Sequence, residues 1–309
     1  MAKIICLFFC FILFSSCTNY AQVEIILRKS FIDSMKDRVS YTGEFVLVAA
    51  PEKPHPAAED GDLHMSCLEK KIGLPIVAEI MNAKDNKEAV KFTHFTAGTD
   101  KQVAITGVWR IWAEHTVKEK GDNKMNYDPK KHAQGGKYQF SGTNPPHVFE
   151  IHPILQIGGV NCLNTLEEID GYDYKSPEKA FAAYANAKCE LTDVDTKIQI
   201  STSTLGFNYA EFWIKPINEG LLITDDGRFL TCDIYNEAGE IIANNIRVGF
   251  VKGSAVETAV MNLNSVEKLH LMGMPRINLH DVAQNIEGNN GVPTEQSLPY
   301  EMIAIAPLP

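Results

Sequence analysis

The sequence lacks the short motifs that mark the commonest enzyme classes. It contains no G-x-S-x-G, no H-E-x-x-H, no phosphate-binding P-loop and no G-x-G-x-x-G. Two S-x-x-K matches, at residues 176–179 and 265–268, lack the S-D-N and K-T-G companions of penicillin-binding enzymes. The motifs therefore assign no reaction, and they favour a protein that is not an enzyme.

Closely spaced cysteine pairs are also missing. No two cysteines form C-x-x-C, which argues against a zinc finger or zinc ribbon. In an oxidising compartment four cysteines allow three disulfide pairings, and the sequence chooses neither among these nor against buried free thiols. The cysteines beyond residue 17 are Cys67, Cys162, Cys189 and Cys232.

Positive charge is scarce. The chain of 309 residues carries 29 Lys and Arg against 39 Asp and Glu, a formal net charge of −10. An acidic protein repels phosphate backbones, so nucleic acid is not an expected partner. Hydrophobic residues make up 45% of the chain and charged residues 22%, which is typical of globular proteins. The length is sufficient for two domains.

The apolar stretch at the start of the chain is too short to span a bilayer, which takes about 20 residues. Lys3 precedes an almost unbroken apolar run over residues 4–14, and the small residues Ser15 and Ser16 lead to Cys17. This order of charge, apolar centre and small residues is typical of an export signal.

The segment Phe14-Ser15-Ser16-Cys17 resembles the lipobox of bacterial lipoproteins. The resemblance implies that residues 1–16 are a signal peptide and that lipid on Cys17 anchors the protein to a membrane. Because Thr18 rather than Asp follows the cysteine, it further implies an outer membrane, with the protein facing the periplasm. The alternative is cleavage after Ala21, which gives a secreted protein. The rest of the chain resembles no family of known function.

Short β-branched and alternating segments, separated by Gly, Pro, Asn and Asp, predict a mainly β protein. We expect an OB-like antiparallel barrel or sandwich, followed by a β-sandwich and joined to it by one short helix. The predicted boundaries are 1–16 for the signal peptide, 17–40 for the lipid anchor and initial segment, 41–165 for the first β domain, 166–190 for the helical connector, 191–285 for the β-sandwich and 286–309 for an extended tail.

Two polar segments of the first β domain carry residue types that bind metals. Asp62 and His64 are two residues apart, as are Glu150 and His152, and in a strand such pairs point to the same face. Carboxylates and imidazoles in this arrangement can hold a divalent metal or transfer protons. The alternatives are a turn in which Asp60 and Asp62 hold their own backbone, and a solvent-facing strand. The sequence does not predict whether the two segments meet.

The sequence therefore predicts an exported cell-envelope protein that acts as a binding or structural module. Its partners are the membrane, through lipid on Cys17, and an envelope protein, glycan or small molecule. No cofactor is expected, although a divalent metal is compatible with the polar segments. The competing hypothesis is a metal-dependent hydrolase that uses Asp62, His64, Glu150 and His152. Convergence of these four side chains is the feature that separates the two hypotheses.

We predict that Cys17→Ala releases the protein from the membrane fraction, because the variant has no thiol to accept lipid. Fractionation of cells and detection of the protein in the soluble and membrane fractions test this. A variant that remains in the membrane fraction would exclude lipid on Cys17 as the anchor.

Overall fold

The computed structural model describes residues 22–115, 125–127, 142–203, 205–217, 220–264, 267–288 and 292–309. The predicted signal peptide, the lipobox with Cys17 and the alternative cleavage position after Ala21 lie outside the described residues. The mainly β class predicted from the sequence is confirmed. The strands are β1 (Gln22–Arg28), β2 (Ser40–Ala49), β3 (Leu63–Leu68), β4 (Ile76–Ile80), β5 (Gln102–Ile111), β6 (Met125–Tyr127), β7 (Phe149–Ile157), β8 (Val160–Asn161), β9 (Lys188–Val194), β10 (Lys197–Ser203), β11 (Ala210–Pro216), β12 (Leu222–Thr224), β13 (Gly227–Tyr235), β14 (Ile241–Val251), β15 (Leu269–Ile277), β16 (Thr294–Ser297) and β17 (Tyr300–Pro307).

Helices connect some of these strands. Among the described residues, no helix is both long enough and apolar enough to cross a membrane. The predicted connector helix is present, and it has a proline in its first turn as expected. The α-helices are α1 (Lys29–Met35), α2 (Lys87–Thr96), α3 (Pro177–Asn186), α4 (Ala255–Met261) and α5 (Leu279–Gly288).

The first barrel is built from β2, β3, β4, β5 and β7. Neighbours pair in the order β4-β3-β2-β5-β7, and parallel pairing of β7 with β4 closes the ring. The other neighbours are antiparallel, and α2 lies between β4 and β5 in the chain. Closure leaves no unpaired strand edge in the ring. Of the barrel and the sandwich left open by the sequence for this part of the chain, the barrel is found.

The second barrel repeats this topology with β11, β13, β14, β15 and β17. Its ring order is β11-β15-β17-β14-β13, and antiparallel pairing of β13 with β11 closes it. The third and fifth strands, β14 and β17, are again parallel, and α4 again lies between the third and fourth strands. The two halves of the chain therefore share one strand order and one pattern of strand directions.

The predicted boundaries of the segments 191–285 and 286–309 differ from the structure. The strands expected to form a sandwich in residues 191–285 form most of the second barrel, and β17, from the predicted tail, lies between β14 and β15. In β17, Met302 and Ala304 face the barrel interior, whereas Ile303 and Ile305 belong to a separate apolar layer. A strand buried on both faces has no polar alternation, so the pattern did not place this tail inside a barrel.

A third sheet joins distant parts of the chain. Its strand order is β16-β9-β10-β1-β6. The first strand, β1, pairs antiparallel with β10 and parallel with β6, and β16 pairs with β9. The hairpin β9–β10, predicted to belong to the second domain, is thus part of this third sheet. The sheet holds β1 between β10, which follows the first barrel, and β6, which lies between β5 and β7 in the chain.

Apolar residues fill the interior of each barrel, and a second apolar layer lies between the barrels. Alternate residues of the barrel strands face these two environments, which explains why β5 and β7 are buried on both faces. The layer between the barrels consists of Val39, Met81, Val108, Leu155, Leu166, Ile169, Tyr209, Phe229, Val251, Met272, Met274, Ile303, Ile305 and Ala306.

One buried ion pair occurs at the same place in each barrel. Arg110 on β5 lies directly opposite Glu150 on β7, and its guanidinium is 2.7 Å from the carboxylate. Arg276 on β15 lies directly opposite Glu301 on β17, at 2.6 Å. In both barrels the pair joins the fourth strand to the fifth. All four side chains are almost fully buried.

The two arginines also connect the barrels by reciprocal hydrogen bonds. Arg110 Nε donates to the carbonyl oxygen of Pro275 at 2.9 Å, and a guanidinium nitrogen of Arg276 donates to that of Trp109 at 3.0 Å. Each arginine therefore contacts the residue that precedes the other arginine. The guanidinium of Arg276 also lies 3.6 Å from the centre of the Trp109 ring. The barrels contact each other in a nearly two-fold manner around β5 and β15.

The four cysteines of the two domains are free and buried. Burial raises the pKa of each thiol, to about 12 for Cys162 and about 11 for Cys189. The sequence left open disulfides or buried free thiols, and the structure has buried free thiols. Because their pKa values are raised, little of the reactive thiolate form is present.

We predict that Arg276→Met lowers the free energy of unfolding by about 3–5 kcal/mol, because it leaves Glu301 buried with less compensation. Lys29→Met is the matched control. It removes a partly exposed ion pair with Asp193, for which about 1 kcal/mol or less is expected. Urea unfolding of both variants measures the difference. Equal losses in the two variants would contradict a structural role for the Arg276–Glu301 pair.

Candidate metal centre

The structure brings the four predicted ligands together on the outer face of the first barrel. Asp62 directly precedes β3, His64 lies on β3, and Glu150 and His152 lie on β7. The Nε2 atom of His152 is 3.1 Å from Asp62 Oδ2, and its Nδ1 atom is 3.7 Å from Glu150 Oε2. The two polar segments of the sequence therefore meet at His152.

Glu79 on β4 links these segments, because β4 pairs with both β3 and β7. Glu79 lies directly opposite His64, and Val77 directly opposite Glu150. The Oε2 atom of Glu79 is 3.1 Å from His64 Nε2 and 3.2 Å from His152 Nδ1. Glu79 was not among the ligands predicted from the sequence. Its signal was a single carboxylate within an otherwise apolar strand.

A glycine allows β7 to approach β5 next to this cluster. The pairing of β5 with β7 shifts register on both sides of Gly107. A Cβ atom at Gly107 would collide with the side chain of Ile151 and with the carbonyl oxygen of Pro153. These two residues flank His152, so the missing side chain at Gly107 helps to fix where the imidazole lies.

The cluster is buried, so the solvent-facing strand considered from the sequence is wrong for Glu150 and His152, which are 1% and 0% exposed. The reason is the second barrel. Tyr209, directly before β11, donates its hydroxyl to Asp62 Oδ2 at 3.1 Å, and its oxygen is 2.6 Å from His152 Nε2. The turn considered from the sequence does occur, at Asp60, whose Oδ1 accepts from the Asp62 amide at 3.0 Å.

Two polar atoms of the cluster have no hydrogen-bond partner in the described part of the chain. They are Asp62 Oδ1 and His152 Nδ1. The carboxylate of Glu79 is close to His152 Nδ1 but is not aligned for a hydrogen bond. Buried polar atoms are nearly always paired, and an orphan atom indicates a missing ligand, water or ion. Both orphan atoms belong to residue types that bind metals.

Burial and neighbouring charges act in opposite directions on these groups. Burial lowers the pKa of His64, but Glu79, Asp62 and Asp60 together outweigh it and raise the pKa to about 9. Burial raises the pKa of Glu79, but His152 and His64 outweigh it and lower the pKa to about 2. Burial prevails at Asp62, whose pKa rises to about 6. The pKa of His152 is well above its ordinary value, because Glu79, Asp62 and Glu150 together outweigh burial. Without a metal, the neighbouring carboxylates favour the protonated, cationic form of both imidazoles.

Two further His and carboxylate groups flank the central cluster. On one side His55 Nδ1 is 3.0 Å from Asp60 Oδ1, and His64 Nε2 is 3.8 Å from Asp60 Oδ2. On the other side His147 Nε2 is 3.1 Å from Glu150 Oε1. Within the described ranges, three groups have one ligand atom from each residue within 4.8 Å of the others. They are His55, Asp60 and His64; Asp62, Glu79 and His152; and His115, His147 and Glu150.

The central group has the residue types of a transition-metal site. Imidazole nitrogen and carboxylate oxygen bind Zn²⁺ at about 2.0–2.2 Å. Two donors of one tetrahedral ion at such distances lie roughly 3.3 Å apart. The 3.2 Å between Glu79 Oε2 and His152 Nδ1 is close to that separation. The carboxylate and His clusters are therefore able to bind a metal.

No protein-family model and no curated protein matches this sequence. A solved structure described as "Structural mimicry for functional antagonism" matches over 82% of this chain and 86% of its own, with 12% identity and a TM-score of 0.17. A match at this TM-score carries no argument about fold or function. The molecule is described by its own geometry, as a mainly β protein of two barrels with a buried carboxylate and imidazole cluster.

We predict that the metal-free protein loses stability as the pH rises from 6.5 to 9. The pKa of His64 is 6.5 in its ordinary state and about 9 in the fold, so between these values the folded state holds a proton that the unfolded state has released. Urea unfolding in EDTA across this range measures the loss. It should be shallower in His64→Asn, and unchanged in His94→Asn, since His94 is exposed on α2. Parallel curves for wild type and His64→Asn would contradict the raised pKa.

Proposed function

We propose that this protein is an exported cell-envelope protein whose first barrel binds a divalent transition-metal ion. The proposed ligands are Asp62, Glu79 and His152. The observation that carries the proposal is their convergence, with one ligand atom from each within 4.8 Å of the others. The orphan atoms Asp62 Oδ1 and His152 Nδ1 support it, because buried polar atoms without a partner indicate a missing ligand, water or ion.

The charge of the site supports the same conclusion. Asp62, Glu79 and Glu150 bring three carboxylates into a region that is at most 2% exposed, and Arg110 pairs with one of them, Glu150. Buried charges require compensation. In the apo protein, protons on the imidazoles supply the compensating positive charge. A divalent metal would supply this charge instead, and its binding would release those protons. Metal affinity should accordingly rise with pH until the imidazoles are deprotonated.

The position of the site within the barrel supports a binding module. OB folds bind their ligands on the face of the second and third strands and at the loops between strands one and two and between strands four and five. Glu79 lies on the third strand, and Asp62 ends the loop between the first and second strands. His147 lies in the loop that precedes the fifth strand. The acidic site favours a metal and disfavours nucleic acid.

Location in the envelope is part of the proposal. The lipobox-like segment supports a lipid on Cys17 and an anchor in the outer membrane with the barrels facing the periplasm. Cleavage after Ala21 would instead release the same two barrels in soluble form. An envelope protein, a glycan or a small molecule is the proposed partner of the anchored form.

A metal-dependent hydrolase is the second candidate, favoured by the number of central ligands. Three protein ligands leave a coordination position for water, as in catalytic zinc sites. A metal held by Asp62, Glu79 and His152 would supply a hydroxide nucleophile by lowering the pKa of a bound water. Hydrolysis of p-nitrophenyl acetate or p-nitrophenyl phosphate by the metal-loaded protein, absent in His152→Gln, would support an enzyme over a binding module.

We predict that Zn²⁺ or Mn²⁺ raises the melting temperature of EDTA-treated, desalted protein. A ligand that binds only the folded state stabilises it by about 2.7 kcal/mol at a hundredfold excess over its dissociation constant. Ca²⁺ should have a smaller effect, because it prefers six to eight oxygen ligands. Thermal melts with each metal in turn measure the shifts.

The shift should disappear in Asp62→Asn and in His152→Gln. Glu257→Gln is the matched control, because Glu257 is a buried carboxylate of the second barrel that pairs with Arg228 and lies outside the proposed site. If no metal shifts the melting temperature of the wild-type protein, the metal-binding proposal is wrong. If Glu257→Gln also loses the shift, the loss in the other variants reflects general destabilisation.

A further inference from the structure

His147, which the proposed central site does not use, has an imidazole oriented by the backbone. Its Nδ1 atom lies 2.7 Å from the carbonyl oxygen of Pro145, a group that only accepts hydrogen bonds, so Nδ1 carries a proton and donates it. In the neutral ring Nε2 then presents a lone pair toward Glu150 Oε1, at 3.1 Å. A proton on Nε2 or a metal ion can join these two atoms.

This arrangement is the one that metal-binding histidines use. Such a histidine donates its second ring N–H to a carbonyl or carboxylate, which fixes the ring and directs the free nitrogen to the metal. His147 is fully buried and Glu150 is 1% exposed. The ring of His115 stacks on that of His147, with centroids 5.1 Å apart and an angle of 19° between the planes. One ligand atom from each of His115, His147 and Glu150 lies within 4.8 Å of the others.

The two oxygens of Glu150 face different neighbours. Oε1 faces His147, whereas Oε2 lies 3.7 Å from His152 Nδ1 and 2.7 Å from a guanidinium nitrogen of Arg110. A carboxylate oxygen has two lone pairs, so the hydrogen bond from Arg110 leaves one free on Oε2. Arg110 is itself held by Glu114, at 3.1 Å, and therefore fixes the carboxylate between the two groups.

We propose that the centre holds two divalent metal ions, the second bound by His115, His147 and Glu150, with the Glu150 carboxylate shared between the two positions. The inference rests on the proposed function, since it adds a second position to the same site. The ions are of the class that imidazole and carboxylate bind together, such as Zn²⁺ and Mn²⁺. A shared carboxylate is consistent with the separation of about 3.5–4 Å between the ions of two-metal sites.

The test is the metal content of the purified protein. The protein is stripped with EDTA, loaded with Zn²⁺, desalted, and analysed by elemental analysis and native mass spectrometry. We expect two ions per chain in the wild type. We expect one ion in His147→Ala and one ion in His115→Ala. The His115→Ala variant leaves the buried core intact, because His115 is only partly buried. His94→Ala, an exposed histidine on α2, should retain two.

A second readout tests whether the two ions share a ligand. In protein loaded with Mn²⁺, two ions that share Glu150 give an exchange-coupled electron paramagnetic resonance spectrum. His115→Ala should convert it to the spectrum of an isolated Mn²⁺ ion. Two uncoupled ions in the wild type would overturn the shared carboxylate.

The outcomes separate this inference from the proposed function. One ion in the wild type, unaffected by His147→Ala and His115→Ala, overturns the second position and leaves the central site in place. No bound ion overturns both. Two ions in the wild type, with one lost in His55→Ala and both retained in His147→Ala and His115→Ala, would place the second ion at His55, Asp60 and His64 and overturn the assignment made here.

Discussion

Arg110 and Arg276 carry their charges into the layer between the two barrels, where the surrounding side chains exclude water. Each is held by a carboxylate of the neighbouring strand in its own barrel and by a carbonyl oxygen of the other barrel. Breaking such a buried pair is costly, so these contacts allow little change in how the barrels meet. The fixed position of the second barrel brings Tyr209 onto Asp62 and His152 and closes the face on which the polar cluster lies. The burial of the candidate metal centre thus depends on the packing of two barrels and is not a property of the first barrel alone.

Burial in turn explains the electrostatics of the centre. A carboxylate on an exposed strand would be solvated, and an adjacent imidazole would titrate near its ordinary pKa. In the closed layer Glu79 has His64 and His152 as its neighbours, and each group determines the charge of the others. The pKa values of the two imidazoles rise because the negative carboxylates stabilise the protonated, cationic form of each ring. A proton and a metal ion compete for the same role.

Local pattern in the sequence was sufficient for part of this architecture. The two-residue alternation placed Asp62 with His64 and Glu150 with His152, since the period of a strand is fixed by its backbone. The short strands and turns were enough for the OB-like barrel. The pattern could not predict that β4 pairs with β7, because these strands are far apart in the chain. This pairing brings Glu79 next to His152. Tyr209 was unpredictable for the same reason, because it reaches the cluster from the other barrel. The strand β17 was missed as a barrel member because both of its faces are apolar, and periodicity is absent when both faces are buried.

The reciprocal contacts of the two barrels have the form of an isologous interface, in which residue i of one partner contacts residue j of the other and j contacts i. Such interfaces belong to symmetric dimers of identical chains, and here both partners lie within one chain. Tethering makes the interface independent of protein concentration, because each barrel sees the other at a high effective concentration. It also frees the two halves to differ. On β7 of the first barrel the residue two positions after the paired glutamate is His152, and on β17 of the second barrel it is Ile303. One half of the pseudo-dimer therefore carries the polar chemistry, and the other half provides the apolar surface that shields it from water.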